Sequence, residues 1–178
     1  MNVAGSDNDT IAGIENIIGT AGVDSLTGDA NDNTLDGRAG DDTLDGGLGA
    51  DTIRGGDGVD MIIASVGADN TDGGSGQDTI DFSGLASGQT IDVELDGANA
   101  VNVAIASGTD QTLAAVENII ATDGADRIIT DTASNNIQAL DGDDFLGASA
   151  GADVFDGGAG LDTIDYSTHT TAFELMSP

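Results

Sequence analysis

The chain has 178 residues, and its 33 acidic side chains against 3 basic ones give a formal net charge of −30 at pH 7. This charge opposes compaction, and it excludes nucleic acids and anionic membrane surfaces as partners, because lysine and arginine patches bind both. Only 3% of the residues are aromatic while 28 are glycine, which disfavours a thick globular core. Cations are the ligands that this composition favours.

Export and redox chemistry are constrained by what the sequence lacks. It has no cysteine, which excludes disulfides, cysteine nucleophiles and thiolate metal sites. It has no apolar run long enough to cross a bilayer, so no membrane insertion is expected. Residues 2–9 show neither the positive charge nor the apolar run of a secretory signal peptide. We therefore expect any export to use another route.

The first eighteen residues end in a motif that returns later. The segment Ile14–Ile18 (IENII) recurs as Val116–Ile120 (VENII), at the end of a longer non-repetitive stretch. Residues 1–18 are therefore predicted to be the tail of a spacer or cap.

A first array of seven nine-residue units runs from Gly19 to Asp81 without insertion or deletion. Its best units are GGLGADTIR, GGDGVDMII and GGSGQDTID, which follow the pattern GGxGxDxUx with U a large aliphatic residue. Glycines at positions one, two and four permit positive φ, so that six residues curl tightly with their carbonyls pointing inward. The sixth residue adds a carboxylate, and positions seven to nine form a short strand whose eighth side chain is buried.

Two units make one turn of 18 residues, so alternate units are expected to stack. The predicted core columns are Leu26, Leu44, Ile62 and Ile80 on one side, facing Leu35, Ile53 and Thr71. Thr71 places a hydroxyl where an aliphatic side chain belongs, and we expect the core to be thin there.

Residues 82–120 interrupt the nine-residue frame. Ile91, Val93 and Leu95 alternate with polar residues, Asp96-Gly97 is a turn signal, and apolar alternation resumes over residues 101–105. The pattern predicts a β-hairpin spacer or cap that covers the exposed end of one roll.

A second, degenerate array occupies residues 121–165 and ends in GGAGLDTID. Residues 166–178 are predicted to begin a further spacer or to form a C-terminal tail. Because both ends resemble parts of the internal spacer, we expect the chain to belong to a longer tandem protein with further domains.

These units resemble the calcium-binding nonapeptide repeats of RTX (hemolysin-type) proteins. The resemblance implies an all-β fold: a right-handed parallel β-roll, here two short arrays of 18-residue coils with an intervening antiparallel β-hairpin spacer. Calcium takes about six to eight oxygen ligands, and one loop offers about half of them, so two stacked loops are expected to hold one ion. We expect several Ca²⁺ ions, at about six good sites.

The predicted ligands are the sixth-position carboxylates, together with loop backbone at the glycines. The carboxylates are Asp24, Asp42, Asp51, Asp60, Asp69, Asp78, Asp126, Asp144, Asp153 and Asp162. The glycines are Gly37, Gly40, Gly46, Gly47, Gly49, Gly55, Gly56, Gly58, Gly73, Gly74, Gly76, Gly157, Gly158 and Gly160. The predicted pairs are Asp42 with Asp60, Asp60 with Asp78, Asp51 with Asp69, Asp126 with Asp144 and Asp144 with Asp162, and Asp24 with Asp42 is a weaker sixth.

Departures from the pattern predict weaker sites. Asn33 and Asn135 replace the aspartate, and their loops also lack the fourth-position glycine, so both half-sites should be weak or empty. Units that lose the first two glycines, such as Ala64–Asp72, should bind with reduced affinity.

Other site classes fit poorly. No glycine loop is followed by GK[ST], and the chain has no lysine, which argues against a phosphate-binding loop. The run from Asp29 to Asn33 lacks the glycine and the glutamate of an EF-hand. His169, in a Ser/Thr-rich tail, is more typical of a solvated residue than of a catalytic base.

Three functions remain open at this point. The resemblance implies a module of a larger protein exported by a type I secretion apparatus, which folds on calcium outside the cell and is secreted, extracellular or at the cell surface. The alternative is a structural spacer of an adhesin, surface-layer or matrix protein. A polysaccharide lyase or epimerase is the poorest fit, because the sequence offers no clustered Lys, Arg or His for such chemistry, and we expect no enzyme.

Overall fold

The computed structural model describes residues 13–106 and 108–168. This part of the chain consists of strands, turns and loops, and contains no helix that could span a membrane. The predictions for residues 1–12 and 169–178, including the one for His169, lie outside the described residues.

The described residues form seventeen strands, most of them three residues long. They are β1 (Asn16–Ile18), β2 (Ser25–Thr27), β3 (Thr34–Ala39), β4 (Thr43–Asp45), β5 (Thr52–Asp57), β6 (Met61–Ile63), β7 (Asn70–Ser75), β8 (Thr79–Asp81), β9 (Ile91–Glu94), β10 (Val101–Ile105), β11 (Gln111–Ala114), β12 (Asn118–Ile120), β13 (Arg127–Ile129), β14 (Asn136–Gln138), β15 (Phe145–Gly147), β16 (Val154–Asp156) and β17 (Thr163–Asp165).

The strands form two sheets. The first sheet has ten strands in the order β1-β3-β5-β7-β11-β10-β9-β13-β15-β17, and the second has seven in the order β16-β14-β12-β8-β6-β4-β2. Within each array, successive strands lie in opposite sheets, and each pairs in parallel with the strand 18 residues further along. The parallel β-roll of 18-residue coils is thereby confirmed.

The core lies between the two sheets and is one side chain thick on each side. In the second sheet Leu26, Leu44, Ile62 and Ile80 are in register on successive strands. In the first sheet the column is Leu35, Ile53 and Thr71, with Leu113 next in line. All of these side chains are buried, as the period predicted.

Thr71 stands where the apolar core divides. Leu26, Leu35, Leu44, Ile53 and Ile62 form one buried cluster. Ile80 belongs to a second, larger cluster that continues through the spacer into the second array. Thr71 is buried between them with only 3% of its surface exposed. A hydroxyl in the column thus coincides with a break in apolar packing, and this break lies inside the first array.

Three strands of the first array are longer than the repeat predicted. The strands β3, β5 and β7 each have six residues, because they continue through the first three positions of the next unit. The second position of each loop pairs with its counterpart one coil away, as Arg38 does with Gly56 and Gly56 with Gly74. The loops on this edge are therefore joined by ladder hydrogen bonds as well as by side chains.

The predicted hairpin is present, but its place differs from the expected one. The strands β9 and β10 pair in an antiparallel manner, with Ile91 opposite Ile105. They do not cover the end of one roll: β9 pairs with β13 of the second array, and β10 pairs with β11, which pairs with β7. The hairpin therefore lies between the arrays, where β9 satisfies backbone groups of the second array and β11 satisfies those of the first.

Side chains of the spacer complete the core at this junction. Ile91, Val93, Val103 and Ile105 are buried, and the fully buried Phe82 belongs to the same cluster. The second sheet receives no inserted strand here, because β8 pairs directly with β12 and β12 with β14. The end of the first array, the spacer and the second array thus share one continuous apolar core, while most of the first array has its own.

Candidate metal centre

The sixth-position side chains form two columns along the edges of the roll. The first ladder, where the chain passes from the first sheet to the second, consists of Asp24, Asp42, Asp60, Asp78, Glu117, Asn135 and Asp153. The second ladder, on the opposite edge, consists of Asn33, Asp51 and Asp69, and after the hairpin of Asp126, Asp144 and Asp162.

One hydrogen bond recurs along both ladders. At most positions the backbone amide of one member donates to the side-chain oxygen of the member one coil later, as from Asp24 to Asp42 at 2.8 Å and from Asp42 to Asp60 at 2.9 Å. In the second array Asp126 donates in the same way to Asp144 at 2.8 Å. The structure therefore brings together all six predicted pairs.

The second carboxylate oxygen decides whether a pair has room for a cation. Five Oδ2 atoms are buried without any hydrogen-bond donor, and they belong to Asp42, Asp51, Asp60, Asp78 and Asp144. A buried carboxylate without a partner is strongly unfavourable, and a bound cation removes that cost. The residues present therefore fit a hard divalent ion, which prefers oxygen ligands.

The glycines shape the loops in two different ways. In the units that carry glycine at both positions two and four, φ is positive at both, for example +117° at Gly56 and +147° at Gly58. At position one, φ lies outside the positive region, so the predicted reason for glycine is wrong there. A methyl group at Gly55 would instead overlap Oδ2 of Asp60 and the carbonyl oxygen of Gly73. The first glycine leaves space for the carboxylate and for a carbonyl of the next coil.

Two predicted pairs have a carboxylate that is already satisfied by a threonine at position two. The Thr122 hydroxyl lies 2.9 Å from both oxygens of Asp126, and its backbone amide donates to Oδ2. Thr20 contacts Asp24 in the same way, with its amide at 2.5 Å from Oδ2. These carboxylates have less need of a cation than the five unpaired ones.

A glutamine contacts the last aspartate of the second ladder in the first array. The buried Gln111 side chain donates from Nε2 to Oδ2 of Asp69 at 3.1 Å and to the carbonyl of Ser65 at 2.7 Å. An amide group thus contacts the same two kinds of oxygen that a metal ion would take. The sequence pattern did not point to Gln111, because it lies outside the nine-residue frame.

At the two positions where asparagine replaces aspartate, a different side-chain atom lacks a hydrogen-bond partner. Asn33 and Asn135 are buried within the ladders, and Nδ2 of Asn33 and Oδ1 of Asn135 lack partners. An amide lowers the negative charge available to a cation, so the weak half-sites stay a prediction.

Burial raises the pKa of most ladder carboxyls. For Asp78 desolvation raises the pKa to about 6, the hydrogen bond from the Asp60 amide opposes this, and the charges of Asp60 and Glu117 add to it. Burial likewise raises the pKa of Asp144 to about 6, helped by Asp126 and Asp162. The direction is the same, again through burial first, for Asp42, Asp51, Asp60, Asp69 and Asp126. Without a cation, the charged state of these groups is therefore less favourable than it would be in water.

Carboxylates at position five form an outer series that the sequence prediction missed. Asp32, Asp41 and Asp143 each accept a hydrogen bond, at 2.9 Å, from the fifth-position amide one coil later. The signal was present as paired acidic residues at 41–42 and 143–144. Their role is to tie loop to loop, outside the buried ladders.

Oxygens besides those of the carboxylates must complete any ion site. Within residues 13–106 and 108–168, no three His, Asp or Glu side chains converge on one point. Carboxylates meet there in stacked pairs, while calcium takes about six to eight oxygens, so a bound ion would need loop carbonyls or water for the remainder.

Comparisons with known proteins agree with this geometry. Four copies of the family model described as RTX calcium-binding nonapeptide repeat match residues 12–44, 45–80, 115–146 and 129–164. A search of curated proteins found no match. These repeats bind Ca²⁺ and are structural rather than catalytic. Because the matches cover more than half of the chain, it belongs to the RTX calcium-binding nonapeptide repeat family.

Proposed function

We propose that this chain is a module that folds when calcium binds outside the cell and thereby serves the folding and stabilisation of a larger protein exported by a type I secretion apparatus. The observation that supports it most is the set of five buried, unpaired carboxylate oxygens along the ladders. At low calcium these charges oppose the stacking of coils, and at high calcium each ion joins two coils.

The residues proposed to hold the ions are the predicted pairs, with the carbonyls of the adjacent loops. We rank Asp42 with Asp60, Asp60 with Asp78, Asp51 with Asp69 and Asp144 with Asp162 first, because the earlier aspartate of each pair has an unpaired Oδ2. Asp24 with Asp42 and Asp126 with Asp144 come second, because Thr20 and Thr122 already satisfy one carboxylate of each pair. Bound calcium supplies positive charge and flexible oxygen coordination at these places.

A structural spacer of an adhesin, surface-layer or matrix protein is the second candidate. It is favoured by the continuous core through the hairpin, which makes the arrays parts of one stack. Both candidates need the same calcium-dependent folding, and the other domains of the parent protein would separate them.

Circular dichroism in the far ultraviolet tests the shared requirement. We expect a disordered spectrum after removal of calcium and a β-rich one after its addition, because a ligand that binds only the folded state stabilises it by mass action. The titration should have a Hill slope above one, since Asp60 takes part in two pairs. Half-saturation should fall at about 10⁻⁴ to 10⁻³ M, as in other extracellular modules.

Magnesium is the matched control. It prefers a strict octahedron and retains water, so it should substitute poorly. Spectra that are indifferent to a chelator would refute calcium-dependent folding.

A further inference from the structure

Four of the five unpaired oxygens lie on the earlier aspartate of a predicted pair, and the fifth, Oδ2 of Asp78, lies on the later one. In those four pairs, Oδ1 of the later aspartate accepts the amide of the earlier one, and Oδ2 of the earlier one lacks a donor. In the pair of Asp60 with Asp78, the unpaired oxygen available to an ion is Oδ2 of Asp60. Oδ2 of Asp78 is also unpaired, on a side chain with 0% exposure, and needs a partner in the following coil.

The following coil belongs to the spacer and stacks regularly on the first array. The strand β11 pairs with β7, and β12 pairs with β8, with Leu113 opposite Thr71 and Ile119 opposite Ile80. The hairpin enters the first sheet only beyond this coil. The stacking needed for an ion between two loops is therefore intact at this point.

Glu117 occupies the sixth-position place in this coil. The Asp78 amide donates to Oε2 of Glu117 at 2.9 Å, as the Asp60 amide donates to Asp78 at 2.9 Å. The Asn118 amide donates to the Asp78 carbonyl at 2.9 Å, which repeats the bond from Thr79 to Asp60 at 2.8 Å. Glu117 thus continues the first ladder across the end of the nine-residue frame.

A shortened loop explains why this residue is glutamate. Three residues, 115–117, separate Ala114, which pairs with Asp72, from Asn118, which pairs with Thr79, whereas six residues, 73–78, separate Asp72 from Thr79 in the array. The additional methylene of Glu117 extends its carboxylate further from this short connection. A methyl group at Gly73 would overlap the Ala115 carbonyl oxygen, just as one at Gly55 would overlap that of Gly73. The Ala115 carbonyl therefore takes the place of the carbonyl that a regular loop presents.

No basic side chain neutralises this pair in the described structure. The ion pairs of the described residues are those of Arg127 with Asp92 at 2.7 Å and with Glu94 at 3.9 Å. On the opposite edge the same coil places the neutral amide of Gln111 against Asp69. The two edges of one coil thus differ: one carboxylate is satisfied by an amide, and the other is not.

We propose that the carboxylates of Asp78 and Glu117 and the carbonyl of Ala115 form a further calcium-type cation site, which joins the first array to the coil that leads into the second. It rests on the proposed ligand role of the ladder carboxylates. An ion here makes the folding of the two arrays interdependent, because it bridges the regular repeats and the spacer.

Counting bound calcium by equilibrium dialysis tests the site. The variant Glu117→Gln keeps the size of the side chain and removes its charge, and Glu15→Gln is the matched control, since Glu15 holds the same place in the recurring motif and is exposed. We expect Glu117→Gln to bind one ion fewer than the unmodified chain and Glu15→Gln to bind the same number. Equal numbers in all three proteins overturn the site while leaving the proposed function intact. An unmodified chain that binds no calcium overturns the proposed function itself.

A second measurement does not require Glu117→Gln to fold. The chain has four glutamates, so carboxyl-¹³C labelling of glutamate gives four resonances, and that of Glu117 is identified by elimination with Glu15→Gln, Glu94→Gln and Glu174→Gln. Exchange of calcium for cadmium in the saturated, folded protein should move the Glu117 resonance and leave those of Glu15 and Glu94 in place. A Glu117 resonance that stays in place overturns the site.

Discussion

Hydroxyl and amide groups decide, one residue at a time, which ladder carboxylates remain for a cation. The hydroxyls of Thr20 and Thr122 donate to Asp24 and Asp126, and the side-chain amide of Gln111 donates to Asp69. Where position two is Gly56 or Gly74 instead, the corresponding Oδ2 of Asp60 or Asp78 is unpaired. The consensus glycine therefore does more than bend the loop, because it also brings no side-chain donor.

Asp60 and Asp69 should respond differently to alanine. Asp60 belongs to pairs with both Asp42 and Asp78, whereas Asp69 pairs with Asp51 and meets Gln111 on its other side. We expect Asp60→Ala to lose two bound ions and Asp69→Ala to lose one, counted by equilibrium dialysis. Equal losses would contradict the stacking register.

Replacement of Thr71 tests the break in the core. Burial of a hydroxyl costs free energy relative to an isosteric apolar group, so Thr71→Val should raise the free energy of unfolding of the calcium-saturated protein by about 1 kcal/mol. Urea unfolding measures this difference. The control is Thr163→Val at an exposed strand position, where we expect no gain. A destabilised Thr71→Val protein would show that the hydroxyl has a required partner.

At the scale of loops and strands, the first glycine of a unit is required because a larger side chain would collide with the ladder carboxylate and with the next coil. Gly55→Ala places a methyl group against Oδ2 of Asp60 and the Gly73 carbonyl. Because this removes room from the site between Asp60 and Asp78, we expect one ion fewer per chain and a higher calcium midpoint in circular dichroism.

Gly84→Ala is the control for this substitution. A methyl group at Gly84 meets nothing within 4 Å. We expect its calcium midpoint to match that of the unmodified chain, and a normal midpoint for Gly55→Ala would refute the steric role.

The elements that follow the repeat could be predicted from sequence, and those that interrupt it could not. Two periods, nine and 18 residues, assign every member of the columns from Leu26 to Ile80 and from Asp24 to Asp78. The alternation around Val93 and Val103 also predicted the hairpin. The place of the hairpin within the first sheet depends on the pairing of β9 with β13. These strands are far apart in the sequence, so no local pattern predicts that they pair.

Glu117 and Gln111 were missed for a related reason. Each stands in a ladder only because a loop of different length returns the chain to the same register. The recurrence of the motif at Ile14–Ile18 and Val116–Ile120 was the available signal, and it showed a repeated segment without showing where its glutamate lies.

For the molecule as a whole, charge and pH are linked through the buried ladders. In the calcium-free folded state the pKa values of Asp78 and Asp144 are about 6, above the ordinary value of 3.8. Between these values the folded state binds more protons than the unfolded state, so its stability rises as the pH falls. Calcium binding should weaken over the same interval, because protons compete for the carboxylates.

We therefore expect the calcium-free chain to gain β structure in circular dichroism between pH 7 and pH 5. The double variant Asp78→Asn and Asp144→Asn should show a smaller change, which separates these two groups from the loss of net charge in general. A calcium-free chain that loses β structure on acidification would contradict the direction of these pKa shifts.

The unequal strand numbers of the two sheets also constrain the path of the coil axis. The strands β9 and β10 enter the first sheet alone, and neighbouring strands are about 4.8 Å apart, so one side of the stack is longer by about 10 Å. We therefore expect the axis to turn there, with the second sheet on the inside of the bend. Insertions of this kind would allow a stack of coils to change direction at a defined position without a flexible joint.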